Sequence, residues 1–298
     1  MRRQFIVLWS CLLCLVLQPL WAANGKQGAL FKVTQGEHTL YLFGTIHVGA
    51  PDFYPLEPLL TGALEQASVL ALEIDPQADP RRMASAVQKH GLYAKSGRAF
   101  AELSPGYRSR LERLLSQYQI EESSVARMKP WLLASLLTVH EFAAQGYNTS
   151  LAVDAWLARQ AHARGQRVIE LESVDSQMAL FDQMSKAEQL RFLEESIAGI
   201  EDHEQAAQAR EIAAAWRQAD VAALDALALK AQQDATFSGR FVQTVLLDGR
   251  NPLLAATIAG LLAQEARSVA AIGVLHLVGV NSVPELLRKR GLAVERIY

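Results

Sequence analysis

One short pattern around Gly-x-x-His occurs twice in the chain, once near each end, and it constrains the fold more than any other feature. Leu40–Gly49 reads LYLFGTIHVG and Ala270–Gly279 reads AAIGVLHLVG. Each copy has an apolar run, then Gly-x-x-His, then one apolar residue in the first copy or two in the second, and a glycine. An apolar run closed by glycine predicts a buried strand that turns sharply at its end. Because open α/β sheets bind ligands beyond such strand ends, we expect His47 and His276 to meet in a metal site or an acid–base pair.

The first 23 residues have the layout of a secretory signal peptide. Arg2 and Arg3 precede the apolar run Phe5–Leu17, Pro19 follows that run, and small residues end the segment at Ala23. The run is short for a membrane span, which needs about 20 apolar residues. We therefore expect a periplasmic or secreted protein with no stable membrane span after cleavage. An uncleaved membrane anchor is the alternative.

Cysteine and charge content exclude several classes of function. Cys11 and Cys14 both lie in the predicted signal peptide, so the mature chain has no thiol for catalysis, redox chemistry or zinc binding. Without Arg2 and Arg3 the 29 basic residues of the chain fall to 27, against 31 acidic residues. This balance gives no reason to expect nucleic-acid binding. Residues 24–298 are long enough for one large domain, which is what we expect.

Apolar runs and turn residues predict an α/β fold. A hairpin leads into the first motif, and a helix and a third strand then complete a βαβ unit with a right-handed crossover. Helical patterns fill about 80–165 and 174–247, with one short strand between them. We expect a central, mostly parallel sheet flanked by helices, in which a large helical insert separates two strand–GxxH–helix modules. The predicted strands are Leu30–Thr34, Thr39–Phe43, Val69–Ile74, Arg167–Leu171, Ser268–Ile272 and Leu292–Ile297, and the main predicted helices are Pro55–Ala67, Trp131–Ala144, Ser150–Arg164, Pro252–Glu265 and Val283–Arg290.

Glu73 stands near the end of an apolar strand, where an unpaired carboxylate is costly to bury. A metal ion or a protonated histidine would supply the missing partner. A salt bridge to Arg81 or Arg82 is the structural alternative. Asp75 is a weaker candidate, because Pro76 indicates that the chain has already turned.

Two further carboxylates and an arginine are candidates for the same site. Glu170 and Glu172 end the next strand and share a face by the two-residue period of a strand. Either could be a metal ligand, a general base or a solvated carboxylate at the sheet edge. Arg250, in LDGRNP, could hold a substrate carboxylate or orient a strand-end glutamate. The alternative is a helix-capping turn held by Asp248 and Asn251.

Seven segments occur in a fixed order along the chain: YLFGTIHVGAPDFYPL, ALEID, MKPW, VDAWLARQA, VIELES, LLDGRNP and AIGVLHLVGVNSVPELLRKRG. Together they resemble the TraB/GumN/Tiki family from about residue 29 to the C-terminus. The resemblance implies a fold related to erythromycin-esterase-like and ChaN-like proteins, with both histidines and a strand-end glutamate in one cleft. The animal Tiki members are regarded as metal-dependent proteases. By position, the resemblance assigns the motif glycines Gly44 and Gly273, the histidines His47 and His276, the glutamate Glu73 and the arginine Arg250.

The leading hypothesis is an exported metal-dependent hydrolase, and the Tiki resemblance favours a peptidase. The two motif histidines and Glu73 would bind a divalent ion with an open position for water. Glu172 or Glu170 would accept a proton, and Arg250 would position the substrate or stabilise an oxyanion. Nitrogen and oxygen ligands without sulfur suit Zn, Mn, Co or Fe.

Three other functions fit the same residues. A metal-independent hydrolase of the erythromycin-esterase type would use one histidine as general base and a glutamate to orient it, and its activity would survive chelation. A haem- or iron-binding protein, as the ChaN resemblance suggests, would lose its Soret band in His47→Ala. A binding or regulatory protein would keep the site only for stability. The substrate, a peptide or a small molecule, the native metal and the oligomeric state are left open.

Overall fold

A computed structural model describes residues 25–95 and 101–298, so the predicted signal peptide lies outside the described residues. Within these ranges, six strands form one mixed sheet in the order β4-β3-β5-β2-β1-β6. The α/β fold with a mostly parallel sheet is confirmed. The strands are β1 (Leu30–Gln35), β2 (His38–Thr45), β3 (Val69–Leu72), β4 (Arg167–Glu170), β5 (Arg267–Gly273) and β6 (Ala293–Arg296).

The centre of the sheet is parallel and its far edge is antiparallel. Strands β2 and β3 both run parallel to β5, which lies between them, and β4 runs parallel to β3. Strand β1 pairs antiparallel with β2 and with β6. The residues of β3 are buried throughout, as expected of a strand covered by helices on both faces. The predicted βαβ unit is present, but β5 is inserted between its two strands.

The register of β2 and β5 places the two motifs side by side. Gly44 pairs with Ile272, and Thr45 pairs with Gly273. Both Gly-x-x-His turns therefore leave the same edge of the sheet, next to the end of β3. The neighbouring positions of these three strand ends are what bring His47, His276 and Glu73 together.

Helices flank this sheet and form the long insert before β5. Helix α1 begins at Pro58 and not at Pro55, because Pro58 takes the first helical position, where a missing N–H costs nothing. The predicted helix Ser150–Arg164 is a short 3₁₀ turn followed, after the extended Ala152, by α6. The helices are α1 (Pro58–Gln66), α2 (Pro80–Ala86), α3 (Pro105–Gln117), α4 (Glu122–Val125), α5 (Pro130–Ala144), α6 (Val153–Ala163), α7 (Val174–Asp182), α8 (Lys186–Glu201), α9 (Glu204–Arg217), α10 (Val221–Gln233), α11 (Phe237–Phe241), α12 (Asn251–Gln264) and α13 (Val283–Lys289).

The hydrophobic core surrounds the sheet, and the insert has a smaller core of its own that includes Leu111, Leu133 and Ile197. Trp216, at the end of α9, joins the insert to the sheet. Its indole is fully buried, and Nε1 donates to the carbonyl of Gly44 over 2.7 Å. This bond fixes the carbonyl of the first motif glycine, and it couples the position of the insert to that of the site.

The helical stretch Phe237–Gln264 is, among the described residues, long and apolar enough to cross a membrane by length and composition. Core helices pass the same test. Here Leu254, Ala255 and Ile258 are buried in the core, and α12 packs against β1, β2 and β5. The absence of a stable membrane span stays a prediction.

Candidate functional site

The two motif histidines lie at adjacent strand ends but differ in exposure. His47 follows β2, and 62 % of its side chain is exposed, whereas His276 ends the short turn after β5 and is only 5 % exposed. The Nε2 atom of His276 lies 4.0 Å from Glu73 Oε1. Backbone N–H of Gly273 donates to the same Glu73 oxygen over 2.7 Å. The site therefore has an open side at His47 and a closed side at His276.

Gly273 lies at the floor of the space between these groups. A Cβ atom built on Gly273 would stand 3.4 Å from Glu73 Oε1, 3.5 Å from His47 Nε2 and 3.6 Å from His276 Cδ2. One methyl-sized volume thus borders both imidazoles and the carboxylate. The absence of a side chain at this position leaves that volume free.

Each histidine is held at its other ring nitrogen by a residue that the sequence reasoning did not select. His47 Nδ1 bonds to Asp154 Oδ2 over 3.1 Å. His276 Nδ1 bonds to Asn251 Oδ1 over 2.6 Å. Asn251 Nδ2 donates to the carbonyl of Asn281 over 2.8 Å, which sets the orientation of the Asn251 amide.

The Asn251 amide determines which ring nitrogen of His276 carries the proton. Since the Asn251 oxygen can only accept, Nδ1 of His276 must donate, and Nε2 of the neutral ring keeps its lone pair. Burial lowers the pKa of His276 to about 4, so the ring is neutral at pH 7. Its Nε2 lone pair therefore faces the carboxylate oxygen of Glu73 with no hydrogen between them.

Arg250 binds both buried glutamates of the site. Its Nη2 donates to Glu73 Oε2 and to Glu172 Oε2, and its Nε bonds to Glu172 Oε1 over 3.1 Å. Gln177 Nε2 donates to Glu73 Oε2 over 3.2 Å and to Glu172 Oε2 over 2.9 Å. These donors occupy Oε2 of Glu73, which leaves Oε1 as the oxygen that faces the histidines.

The charges of the site shift the pKa values of its groups. Desolvation would raise the pKa of Glu73, but the charges of His47, His276 and Arg250 and the Gly273 N–H lower it to about 2. Desolvation lowers the pKa of the His47 imidazole, but the hydrogen bond and charge of Asp154, together with the charge of Glu73, outweigh this effect and raise the pKa to about 9. At neutral pH Glu73 is therefore ionised and His47 is protonated.

Two candidates are placed outside this cluster. Glu170 bonds to the backbone N–H of Asp75 and to Arg82, and Asp75 Oδ2 bonds to His162 Nε2 over 2.8 Å. The expectation that Glu170 and Glu172 share a face is wrong, because β4 ends at Glu170 and the two-residue alternation stops there.

The hydrogen-bond partners of Glu73 and Arg250 differ from those that the salt-bridge and helix-capping alternatives required. The salt bridge suggested for Glu73 with Arg82 is not formed, since Arg82 binds Glu170. Arg250 precedes α12 without a side-chain capping bond, and Asn251 holds a histidine instead of capping the turn. Arg250 thus orients the glutamates, as one of the sequence hypotheses proposed.

Within the described residues, 25–95 and 101–298, no three histidine, cysteine, aspartate or glutamate side chains form a group spaced to hold a metal ion. Of the residues that the sequence selected, the structure brings together His47, His276, Glu73, Glu172 and Arg250. It adds Asp154, Asn251 and Gln177. Asp154 and Asn251 lie in two of the family-like segments, VDAWLARQA and LLDGRNP, whereas no sequence signal pointed to Gln177.

The fold and the site define an α/β protein with two strand-end histidines beside a buried glutamate–arginine pair. The sequence model of the TraB/PrgY/gumN family matches residues 29–296, and the chain belongs to this family. It is 24 % identical over 279 residues to "Uncharacterized protein YbaP" of Escherichia coli (strain K12), and this match covers 91 % of the chain and 98 % of the relative. The protein of the same name from Shigella flexneri matches with the same identity and coverage. No solved structure matches the chain.

Proposed function

We propose that the protein is an exported, metal-dependent hydrolase of the peptidase class. The observation that carries this proposal is the meeting of two imidazoles and one carboxylate around Gly273. Oε1 of Glu73, Nε2 of His47 and the imidazole edge of His276 border one small space, and His276 Nε2 lies 4.0 Å from Glu73 Oε1. The lone pair of His276 Nε2 and the carboxylate oxygen of Glu73 repel each other with no hydrogen between them, and a metal ion that displaces the proton of His47 would bind all three groups.

The donor chemistry suits a divalent ion. Two imidazole nitrogens and one carboxylate oxygen are ligands of catalytic zinc sites, and the same set accepts Mn, Co or Fe. Two ligands of a tetrahedral zinc ion lie about 3.4 Å apart, whereas His276 and Glu73 are 4.0 Å apart and the three side chains are not spaced to hold an ion as they stand, so binding requires them to draw closer. Asp154 and Asn251 bind the far ring nitrogens, as the partners of metal-bound histidines commonly do. A bound ion would polarise a carbonyl and lower the pKa of its water.

Arg250, Gln177 and Glu172 fix the position of the Glu73 carboxylate. Arg250 and Gln177 hold its Oε2, so that Oε1 alone faces the histidines. Glu172 accepts bonds at both oxygens from Arg250. We therefore assign Glu172 the role of holding Arg250 against Glu73, in preference to that of a free general base. The choice of a peptide substrate rests on the Tiki resemblance, and export rests on the signal-peptide pattern.

A metal-independent hydrolase is the second candidate, and the His47–Asp154 pair favours it. A carboxylate bonded to Nδ1 of an exposed imidazole is the arrangement of a general base whose Nε2 faces the substrate. Hydrolysis would then use His47 directly, in the neutral form that becomes populated as pH approaches its raised pKa of about 9. This candidate predicts full activity after metal has been removed.

Elemental analysis of purified protein separates the two candidates. We expect near-stoichiometric metal in the parent and in His162→Ala, whose histidine binds Asp75 outside the site, and no metal in His47→Ala/His276→Ala. A fluorogenic peptide screen, run before and after chelation and after adding back Zn, Mn, Co or Fe, would then measure activity. Circular dichroism checks that each variant is folded.

Each result selects one function. Activity that disappears with chelation and returns with one ion supports the metallohydrolase. A parent that binds no metal under any of these conditions would reject it, and activity that survives chelation would select the metal-free hydrolase. A coloured protein with a Soret band would select haem binding.

A further inference from the structure

His47 is held in place by a carboxylate from a distant part of the chain. Asp154 lies in the first turn of α6, and its Oδ2 bonds to His47 Nδ1 over 3.1 Å. The backbone supports this contact, because the N–H of Val153 donates to the carbonyl of Ile46 over 3.1 Å. The start of α6 is thereby fixed against the residue that precedes His47.

Packing alone does not hold the His47 ring. Its side chain is 62 % exposed, whereas His276 is buried and has little freedom to rotate. The hydrogen bonds of the described residues give His47 one side-chain partner, Asp154. The direction of the His47 ring therefore depends on that bond.

Asp154 does not behave as an ordinary acid at a helix N-terminus. Such a residue places its oxygens on the free backbone N–H groups of the first turn or in water. In α6 the capping position, Ala152, makes no side-chain bond, and Asp154 Oδ2 goes to His47 instead. The other oxygen, Oδ1, is buried with no hydrogen-bond partner among the described atoms. Keeping an unpaired carboxylate oxygen buried costs free energy, which a purely structural role would avoid.

We propose that Asp154 is a positioning residue, which keeps the proton of His47 on Nδ1 and directs Nε2 to the space above Gly273. A carboxylate can only accept, so it selects the ring form that donates from Nδ1. In the neutral form of the ring, Nε2 then presents a lone pair beside those of His276 and Glu73. The part of this proposal that concerns metal affinity rests on the proposed function, whereas the part that concerns the ring does not.

The chain offers a matched control on the same helix. His162, in the last turn of α6, bonds through Nε2 to Asp75 Oδ2 over 2.8 Å. Both pairs join a partly exposed histidine to a less exposed aspartate. Asp75→Ala therefore removes an equivalent carboxylate away from the site.

The first measurement uses metal-free protein. Nitrogen-15 NMR of the histidine rings, at a pH where His47 is neutral, reports which nitrogen carries the proton, and the His47→Ala spectrum assigns the signal. We expect the Nδ1-protonated form in the parent and in Asp75→Ala, and the Nε2-protonated form, which free histidine prefers, in Asp154→Ala. A parent ring protonated on Nε2, or an Asp154→Ala ring unchanged from the parent, would overturn the proposal.

The second measurement is the affinity for Zn²⁺ or Co²⁺, by competition with a chelator. We expect a 10- to 100-fold loss in Asp154→Ala and less than a twofold change in Asp75→Ala. Asp154→Asn keeps the size of the side chain and an accepting oxygen without charge, so its affinity should lie between that of the parent and that of Asp154→Ala. If Asp154→Ala does not fold, Asp154→Asn takes its place in both measurements.

The two measurements separate the two proposals. If the parent binds no metal but its His47 ring depends on Asp154, the metallohydrolase fails and the positioning role stands. If metal binds equally well to the parent and to Asp154→Ala, the positioning role is rejected and the metal site stands.

Discussion

Alanine at the motif glycine Gly273 and alanine at the motif glycine Gly44 should have opposite effects on stability and on metal binding. A methyl group on Gly273 would occupy the space between Glu73 Oε1, His47 Nε2 and His276, at 3.4 to 3.6 Å from each. These are ordinary contact distances, so the folded chain can accept the methyl group. The space itself would no longer be free for an ion or for a reacting water molecule.

The stability of Gly273→Ala can be estimated from the backbone. Gly273 has φ −51° and ψ 133°, which alanine adopts without strain. At such a position, replacing glycine stabilises a protein by about 0.4–1 kcal/mol through the entropy of the unfolded chain. We therefore expect a free energy of unfolding within about 1 kcal/mol of the parent, together with a loss of metal binding and of hydrolysis.

Gly44→Ala should instead reduce stability. Its Cβ would stand 2.8 Å from Val274 Cγ2 and 3.1 Å from Val274 Cα, which is backbone and cannot turn away. Overpacking of this kind costs about 1–3 kcal/mol. Because the methyl group would contact Val274 and not the acceptors of the site, metal binding at low temperature should be less affected than in Gly273→Ala.

Urea denaturation and chelator competition on both variants test this reasoning. The expected pattern is a stable Gly273→Ala without metal and a destabilised Gly44→Ala that still binds metal. If Gly273→Ala binds metal as the parent does, the space above Gly273 is not the ion site. If it unfolds as easily as Gly44→Ala, the steric argument is wrong.

Two further predictions concern charge. In chelator-treated protein, the free energy of unfolding should be greatest near pH 6.5. Toward acid it should fall as pH approaches the lowered pKa of His276, about 4, and then that of Glu73, about 2. Toward alkali it should fall as pH approaches the raised pKa of His47, about 9. Urea midpoints between pH 3 and 10 test this, and a steady rise from pH 5 to 9 would contradict it. Arg250→Ala should lower the free energy of unfolding by about 3–5 kcal/mol, because it leaves two buried carboxylates unpaired, whereas Glu172→Gln should cost about 1.5–3 kcal/mol. Equal losses in urea denaturation would show that the charges are not paired as the geometry indicates.

Much of the fold was predictable from local patterns. The predicted strand Thr39–Phe43 lies within β2, and the predicted helix Val283–Arg290 ends one residue beyond α13. Apolar runs of this length and the turn residues that bound them encode local structure directly. The order of the strands was not predictable in the same way, because nothing near Val69–Ile74 indicates that β5 lies between β3 and β2.

The sequence by itself determined that two Gly-x-x-His turns follow buried strands, and that Glu73 and Arg250 belong with them. Only the tertiary structure decided how these side chains are partnered. Asp154 meets His47 across 107 positions of sequence, and Gly273 meets Glu73 across 200. Local patterns carry no information about such pairs, because they depend on which strands become neighbours and on where the insert packs. The hydrogen-bond partners of both histidines follow from those long-range contacts.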